Sequence, residues 1–214
     1  MAHEAQFEFM ERVRGIFPQH FKASRVLEVG SLDINGSVRR YFQGCEYVGI
    51  DVAPGPGVDV VCGGQVYDAP AGSFDTVISC EAMEHNPHWV ETMNNMVRLC
   101  RPDGLIFMTC ATTGRPEHGT SRSQPSDSPL TVGIGWEYYR NLTAQDFLNA
   151  GVTKGLGFCA FFTNWQAHDL YMIASKAGVS ERELLALERI RGAYQRSNFR
   201  TFRGVRNFLR AQLA

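Results

Sequence analysis

A glycine turn and a later acidic residue are the first features of the sequence that could bind a ligand. Residues 26–37 read Val-Leu-Glu-Val-Gly-Ser-Leu-Asp-Ile-Asn-Gly-Ser, which predicts a buried strand that ends at Gly30 and a turn that opens a helix. Backbone N–H groups and the helix N-terminus would then face one point, a geometry that suits a carboxylate or a phosphate. Asp51 stands 23 residues after Glu28 and ends the next predicted strand, where an acidic side chain can accept hydrogen bonds from both hydroxyls of a ribose.

These two features together favour an adenosine-bearing ligand, with the alternative that Asp51 only caps the turn at 54–57. A dinucleotide is disfavoured by the glycine spacing. The pyrophosphate of a nicotinamide cofactor needs Gly-x-Gly-x-x-Gly, whereas Gly30 and Gly36 are separated by Leu32 and its neighbours. The turn therefore does not match the fingerprint of a dehydrogenase.

Strands and helices alternate along most of the chain and would position this turn. Strands are predicted at 25–30, 47–52, 58–61, 74–80, 105–109, 156–162 and 169–174, and helices at 5–17, from 36 to 42, at 87–99 and at 143–149. The alternation predicts an α/β domain whose mostly parallel sheet is covered on both faces. Residues 112–135 break the rhythm with glycine, proline, serine and threonine. Such a long loop beyond a central strand is where open α/β sheets bind ligands.

Composition excludes several classes of protein. The 214 residues are 44% hydrophobic and 20% charged, with a net charge of −1, which is typical of one globular domain with an appendage and excludes wholesale disorder. The near-zero charge gives no reason to expect a general nucleic-acid partner. Six cysteines without a Cys-x-x-Cys pair exclude a zinc ribbon and indicate a reducing compartment. No run approaches the roughly 18 apolar residues of a membrane span, and the polar start lacks a signal peptide, so we expect a cytoplasmic protein.

The C-terminal segment differs from the rest of the chain. Residues 189–214 contain seven arginines and no acidic residue, with apolar side chains at roughly helical spacing. This pattern predicts a basic amphipathic helix that either meets a membrane surface, a nucleic acid or an acidic partner, or packs its apolar face on the domain or on a second subunit. The predicted organisation is an N-terminal helix at 1–23, a main domain at 24–178 and this basic tail at 179–214, through which the chain could form a homodimer.

Four segments of the predicted main domain carry recognisable motifs. In chain order they are 27–31 (Leu-Glu-Val-Gly-Ser), 48–51 (Val-Gly-Ile-Asp), 72–85 (Gly-Ser-Phe-Asp-Thr-Val-Ile-Ser-Cys-Glu-Ala-Met-Glu-His) and 97–106 (Val-Arg-Leu-Cys-Arg-Pro-Asp-Gly-Leu-Ile). Over about residues 24–112 the chain resembles the class I S-adenosylmethionine-dependent methyltransferases, particularly the methyltransferase-11-like group. The resemblance implies a Rossmann-like, doubly wound, mostly parallel sheet in a single domain, with 169–176 as its antiparallel last strand.

The resemblance also implies a set of cofactor contacts. They are Glu28, Gly30, Ser31, Asn35 and Gly36 along the methionine part, Asp51 at the ribose hydroxyls, Val52 on adenine, and Cys80 and Glu81 near the methionine amine and the reacting methyl. Two departures stand against this pattern. Residues 32–34 replace the usual glycine-rich turn, and residues 62–65 (Cys-Gly-Gly-Gln) replace an acidic contact to the adenine amine, which Gln65 or the backbone could supply instead.

Methyl transfer requires alignment of donor and acceptor, exclusion of water and often removal of a proton from the nucleophile. Neutral histidine suits the last task because its unperturbed pKa is about 6.5. The candidate bases are His85 and His118, with His88 also near the fourth strand, and a solvated or structural histidine is the alternative for each. Trp136, Tyr138 and Tyr139 could form an aromatic wall for the acceptor or pack in the core. A metal held by Glu81, Glu84, His85 and His88 is a further alternative, although no metal is predicted.

The sequence thus predicts an S-adenosylmethionine-dependent methyltransferase of a small acceptor, most often an oxygen of a sugar or of a secondary-metabolite intermediate. A nucleic-acid acceptor is not expected. The alternative from another class is a methyltransferase-like scaffold or binding subunit, motivated by the altered turn after Gly30 and by the absent acidic adenine contact.

Overall fold

A seven-stranded sheet forms the centre of the molecule in the computed structural model, which describes residues 4–212. Its strands are β1 (Arg25–Val29), β2 (Glu46–Asp51), β3 (Val60–Val61), β4 (Phe74–Cys80), β5 (Cys100–Ala111), β6 (Phe158–Asn164) and β7 (Asp169–Ser175). The strand order is β3-β2-β1-β4-β5-β7-β6, and β7 runs antiparallel to both of its neighbours. The predicted Rossmann-like, mostly parallel sheet with an antiparallel last strand is therefore confirmed. Residues 1–3 and 213–214, at the ends of the predicted terminal segments, lie outside the described residues.

Helices cover both faces of the sheet. They are α1 (Glu4–Ile16), α2 (Trp89–Leu99), α3 (Pro129–Gly133), α4 (Ala144–Asn149), α5 (Glu181–Arg200) and α6 (Phe202–Gln212), with short 3-10 turns at Pro18–Phe21, Val38–Tyr41, Met83–His85 and Pro125–Asp127. Residues of α2 and α4 pack in one core cluster with Leu27 and Ile106. Residues of α1 and α5 pack in a second cluster with Val26 and Phe107. Because successive strand residues point to opposite faces, the apolar strands supply both clusters.

The turn after β1 does not open the α-helix that the sequence predicts. Residues 36–42 contain only the 3-10 turn Val38–Tyr41, whose first free amide, on Arg39, donates to the Ser37 hydroxyl. The chain must reach the first residue of β2, Glu46, a few residues later, which leaves no room for a helix of ordinary length. The anion-binding argument from a helix N-terminus was therefore wrong for this turn, and any ligand contact there depends on backbone and side chains.

Two further elements differ from their predicted bounds. The predicted turn at 101–104 bulges out of β5, because Phe74 of β4 pairs with Cys100 while Thr76 pairs with Leu105. The third strand is only two exposed residues long, Val60–Val61, at the edge of the sheet. Both differences leave the strand ends near β1, β2 and β4 in place.

The basic tail forms two helices rather than one. Thr201 is extended and separates α5 from α6, and a Cβ at Gly204 would overlap the carbonyl oxygen of Asn198, so α6 packs closely on the end of α5. Asn198 accepts from the backbone N–H of Trp165 at 2.8 Å, and Asn207 donates to the carbonyl oxygen of Trp165 at 2.8 Å. The prediction of a single helix was wrong, because the buried side chains of Asn198 and Asn207 both bond to the backbone of Trp165 and hold two separate helices against its loop.

Within residues 4–212 no helix is long and apolar enough to cross a membrane. All six cysteines are free thiols.

Candidate functional site

The carboxyl ends of β1, β2 and β4 border two adjoining pockets, which together are called the cleft. The first pocket is open to solvent and spans about 640 Å³ with that solvent included, and its wall is shared between the β1 turn, the end of β4 and the long loop. The second spans about 370 Å³ on the same measure and lies between the ends of β1 and β2 and the segment after β4. The residues that line both pockets are Gly30, Asp51, Ala82 and Thr131. Ligands of open α/β sheets bind in such a crevice at the carboxyl ends of the strands.

Gly30 allows the β1 turn to pass close to the chain that follows β4. Its φ is +79°, a left-handed conformation that glycine adopts without a steric penalty. A Cβ at this position would overlap the Cβ of Ala82. The amides of Gly30 and Ser31 both donate to the carbonyl oxygen of Ile50, at 2.9 and 3.1 Å. The turn is therefore held against β2 and leaves the first pocket open above it.

Glu28 places a buried carboxyl group in the wall of the first pocket. Its side chain is 4% exposed, and its Oε2 accepts a hydrogen bond of 2.8 Å from the Tyr47 hydroxyl. Burial raises the pKa of Glu28 to about 7, because a charged carboxylate is poorly solvated there. The group can thus be neutral in the free protein and become charged when a cation arrives.

Asp51 lies where the two pockets meet. Its Oδ2 accepts from the amide of Leu32 at 3.1 Å, and its Oδ1 accepts from the amide of Val52 at 2.8 Å. Burial raises the pKa of Asp51. Since each carboxylate oxygen has a second lone pair, this oriented group retains the capacity to accept hydrogen bonds from two neighbouring hydroxyls.

The second pocket combines apolar walls with one buried amide. Val52, Met83 and Trp136 contribute apolar surface, and Gln65 lines the same space. Gln65 Oε1 is buried and has no hydrogen-bond partner among residues 4–212. A flat ring with an amino group could occupy this pocket and donate to that oxygen.

The remaining predicted cofactor residues fall in or beside the first pocket. Gly36, Cys80 and Glu81 line it, whereas Asn35 lies in the adjoining turn and lines neither pocket. Burial raises the pKa of the Cys80 thiol well above its usual value, so the thiol stays protonated. Glu81 adopts a left-handed φ of +52°, and its amide donates to the carbonyl oxygen of Thr109 at 2.9 Å, which turns its backbone at the end of β4.

Glu84, His85 and His118 form a cluster behind the first pocket, and His85 also lines that pocket. Each of the three offers a ligating atom, and these atoms lie within 4.8 Å of one another. The two imidazole ring centroids are 4.9 Å apart, and the ring of Tyr139 lies 5.5 Å from His85 and 4.9 Å from His118. The structure therefore brings together the two histidines that the sequence proposed separately.

Burial sets the protonation of this cluster in the free protein. The pKa of His85 is lowered to about 3 by burial and by the neighbouring His118, and burial also lowers the pKa of His118. Burial and the charge of Glu81 raise the pKa of Glu84. Both imidazoles are thus neutral at pH 7 and offer a lone pair to an electrophile, while the lowered pKa of His85 makes it the weaker proton acceptor of the two.

The long loop supplies one wall of the cleft. Asp127, Ser128, Leu130 and Thr131 line the first pocket, and their contribution could not be read from the sequence because the path of a loop is set by tertiary contacts. His88 stands apart, since its exposed ring packs on Trp136 at 5.5 Å. The four-residue metal set considered from the sequence is therefore not assembled. His118, from the loop, takes the place expected for His88, and Tyr138 packs against the core beside α2.

Comparisons with known proteins identify the family of the chain and proteins of similar fold. A family model described as "Methyltransferase domain" matches residues 1–151. No sequence matched in a search of curated proteins. Among solved structures, the chain is similar to the 1,6-didemethyltoxoflavin-N1-methyltransferase of Burkholderia thailandensis, with bound 1,6-didemethyltoxoflavin and S-adenosylhomocysteine, at 15% identity, a TM-score of 0.52 and coverage of 81% of this chain and 90% of that one.

A second solved structure shares the fold at a similar level. It is an S-adenosylmethionine-dependent methyltransferase from Archaeoglobus fulgidus, at 14% identity, a TM-score of 0.52 and coverage of 78% of this chain and 93% of that one. At such low identity these two structures support the fold, while the family model covers well over half of the chain. The chain belongs to the methyltransferase domain family and is a class I S-adenosylmethionine-dependent methyltransferase.

Proposed function

We propose that this enzyme methylates a small-molecule acceptor, most readily at a hydroxyl oxygen of a sugar or of a secondary-metabolite intermediate. The observation that carries the proposal is the position of the His85–His118 pair. His85 lines the first pocket and contacts His118, so a nucleophile at the inner end of that pocket would meet the neutral imidazole of His85, with the imidazole of His118 directly behind it. An acceptor hydroxyl needs such a group, because it must lose its proton as it is methylated.

The cleft fits S-adenosylmethionine in its shape and polar groups. The second pocket offers apolar walls and the Gln65 oxygen for adenine, and Asp51 stands at the junction for the ribose hydroxyls. Glu28 and the buried Ser31 hydroxyl, which has no hydrogen-bond partner among residues 4–212, can bind the charged amino-acid end. When bound, the cofactor supplies a methyl group on a sulfonium, which an in-line nucleophile can accept as S-adenosylhomocysteine leaves.

The protein contributes orientation and exclusion of water. Asp51 and the Gly30 turn would fix the donor, while His85 and His118 would activate the acceptor at the far end. Ser128 and Thr131 of the long loop cover the first pocket, and His85 is only 2% exposed. This enclosure favours a small acceptor over a macromolecule, in keeping with the small-molecule ligand named for the Burkholderia thailandensis structure.

A second candidate is a methyltransferase-like scaffold that acts through its tail. It is favoured by one observation, the exposed apolar side chains Phe199, Phe202 and Leu209 on the last two helices, which a second subunit could cover. Homodimerisation through this tail is part of either proposal. The two candidates differ in what they require of Asp51, because only the enzyme needs that carboxylate for activity.

Titration calorimetry of the full chain with S-adenosylhomocysteine tests the proposal. We expect one-to-one binding that Asp51→Ala weakens about thirtyfold, equivalent to about 2 kcal/mol for hydrogen bonds to a charged group. His118→Gln should bind the ligand normally and lose about a hundredfold in methyl transfer to a screened acceptor. The matched control is His88→Gln, whose exposed ring lies outside both pockets and which should change neither quantity. Normal turnover by His118→Gln would contradict the assigned role, and unchanged activity of Asp51→Ala would contradict the assigned ribose contact.

A further inference from the structure

We propose that Glu84, His85 and His118 bind a divalent first-row transition-metal ion, of which Zn²⁺ is the test case, and that this ion activates the acceptor hydroxyl. The binding site stands on the geometry of the three side chains alone. Only the role in activation rests on the proposed function. The three residues are buried, with His118 the most exposed at 6%.

Unpartnered polar atoms converge at this point. Glu84 Oε2 and both ring nitrogens of His85 are buried and have no hydrogen-bond partner among residues 4–212. Buried polar groups are nearly always paired, and leaving one unpaired costs about 1–3 kcal/mol. A cation bound by Glu84 Oε2 and one His85 nitrogen would provide a partner for two of these three atoms with a single ion.

Two hydrogen bonds of the cluster indicate which atoms remain available to bind an ion. Glu84 Oε1 accepts from the amide of Ala111 at 3.1 Å, which leaves Oε2 for the ion. His118 Nδ1 lies 3.0 Å from the carbonyl oxygen of Pro116. Since a carbonyl only accepts, Nδ1 must carry the proton, and Nε2 then presents its lone pair. A histidine fixed in this way by a backbone carbonyl is typical of metal ligands.

The separations are close to those of a bound ion. The three ligating atoms lie within 4.8 Å of one another, and metal–ligand bonds of about 2.0–2.2 Å place neighbouring ligands about 3–4 Å apart. Closure by about 1 Å through side-chain rotation would complete the site. Gly119, with a φ of +63°, permits the approach, because a Cβ there would stand 2.7 Å from His85 Cε1.

The donor set selects the class of metal. Two imidazoles and one carboxylate suit Zn²⁺, Fe²⁺, Co²⁺ and their neighbours, whereas Mg²⁺ and Ca²⁺ prefer oxygen ligands alone. Three protein ligands also leave at least one position open, as in catalytic rather than structural zinc sites. Because His85 also lines the first pocket, an acceptor oxygen bound in that pocket could take an open position.

Coordination would change how the acceptor loses its proton. A metal-bound hydroxyl is more acidic than a free one, so its O–H bond breaks and the proton passes to solvent. The new O–CH3 bond then forms as the S–CH3 bond breaks, with a methyl ether and S-adenosylhomocysteine as products. In this arrangement His85 and His118 act as ligands, and neither has to accept the proton.

Metal titration of the chelator-treated full chain tests the site directly. We expect Zn²⁺ to bind one-to-one by calorimetry, and Co²⁺ to give visible absorption bands of a nitrogen- and oxygen-ligated ion. Glu84→Gln and His118→Gln should each weaken binding at least about tenfold, the scale on which even outer residues of metal sites act. His88→Gln is the matched control, since it removes a nearby imidazole outside the cluster, and should bind Zn²⁺ like the wild type. His118→Asn provides a second ligand variant if His118→Gln does not fold.

Three results would overturn the site. They are the absence of binding, equal binding by the ligand variants and the wild type, and a strong near-ultraviolet band that indicates ligation of Co²⁺ by thiolates of the six free cysteines. Binding of S-adenosylhomocysteine is measured on the same preparations. If the protein bound the metal but not S-adenosylhomocysteine, the proposed function would be contradicted and the metal site would stand. If it bound S-adenosylhomocysteine but not the metal, the metal site would be contradicted and the methyltransferase would stand.

Discussion

The two ends of the cleft hold their ionisable groups in different ways. At the cofactor end, defined by the turns after β1 and β2, Glu28 is bonded to the Tyr47 hydroxyl and Asp51 to two backbone amides. At the acceptor end, defined by Glu84, His85 and His118, neither ring nitrogen of His85 has a hydrogen-bond partner among residues 4–212. The two carboxyl groups of the cofactor end are thus oriented by the protein itself, whereas at the acceptor end the ring of His85 is left to be partnered by a ligand.

The origin of the difference lies in the elements that build each end. The cofactor end is formed by the ends of paired strands, whose position is set by the hydrogen bonds of β1, β2 and β4. The acceptor end depends on the long loop, which brings His118 to His85. Scaffolds of strands hold a shared ligand precisely, while loops adapt to different ones. This contrast predicts that matched substitutions lower the affinity for S-adenosylhomocysteine more at the cofactor end than at the acceptor end.

Gly30→Ala should have the largest effect. The new Cβ would be placed in the left-handed region, which costs about 1–2 kcal/mol, and would overlap the Cβ of Ala82. We expect the affinity for S-adenosylhomocysteine to fall about a hundredfold, equivalent to about 2.7 kcal/mol, since both pockets share this turn and the overlap with Ala82 displaces their common wall.

The double variant Gly30→Ala/Ala82→Gly separates the two causes. It removes the overlap and keeps the backbone strain, so it should recover part of the affinity in calorimetry. Wild-type affinity of Gly30→Ala would show that the cofactor end is as adaptable as the loop, and the contrast between the ends would be lost.

Glu28 provides a second test of the cofactor end, through the pH dependence of stability. Its pKa is about 7 in the folded protein, raised by burial from its ordinary value of 4.5. Between these values the folded state holds a proton that the unfolded state releases. The free energy of unfolding therefore falls as pH rises from about 4.5 to about 7, by up to about 3 kcal/mol from this group.

Glu28→Gln removes that contribution while its side-chain oxygen can still accept from Tyr47. Urea unfolding of both proteins at pH 5 and pH 8 measures the effect, because other titrating groups cancel in the difference. The free energy of unfolding of the variant minus that of the wild type should rise by up to about 3 kcal/mol from pH 5 to pH 8. An equal difference at both pH values would mean that Glu28 is ionised when folded, which contradicts a carboxyl group held neutral for an incoming cation.

The sequence predicts the cofactor end better than the acceptor end. The ends of β1, β2 and β4 fall within a residue or two of their predicted positions, because apolar runs that stop at glycine or at a polar residue mark strand ends locally. The predicted helix after Gly36 failed because the chain available before β2 is short, although the turn itself lies where expected. Strand pairing then brings Asp51 to the β1 turn without further information.

Contacts at the acceptor end depend on a loop path that no local pattern contains. The sequence singled out His85 and His118, but 33 positions separate them, and their meeting depends on the conformation of Gly119. Glu84 was considered as a metal ligand with Glu81, His85 and His88, and of these His88 instead packs on Trp136. Thr131 and Ala82 carried no signal, because their role in the cleft lies in their position rather than in their chemistry.

Gly119→Ala is the acceptor-end counterpart of Gly30→Ala and should have the smallest effect on cofactor binding. Gly119 is also left-handed, and its Cβ would stand 2.7 Å from His85 Cε1 and from Ser128 Cβ. Because these neighbours belong to a loop and a side chain that can shift, we expect the affinity for S-adenosylhomocysteine to change by less than about threefold. Displacement of His118 from His85 should reduce methyl transfer by about tenfold.

Gly135→Ala is the matched control on the same loop. Its φ of +79° carries the same backbone strain, but nothing lies within 4 Å of its added Cβ. Turnover should therefore fall in Gly119→Ala and remain near the wild-type level in Gly135→Ala, with thermal unfolding used to compare the strain in the two variants. If both variants lost turnover equally, strain in the loop rather than the His85–His118 contact would be responsible. Thr131 of the loop lines both pockets. If Gly119→Ala lowered the affinity for S-adenosylhomocysteine as strongly as Gly30→Ala, the loop would therefore belong to the cofactor end.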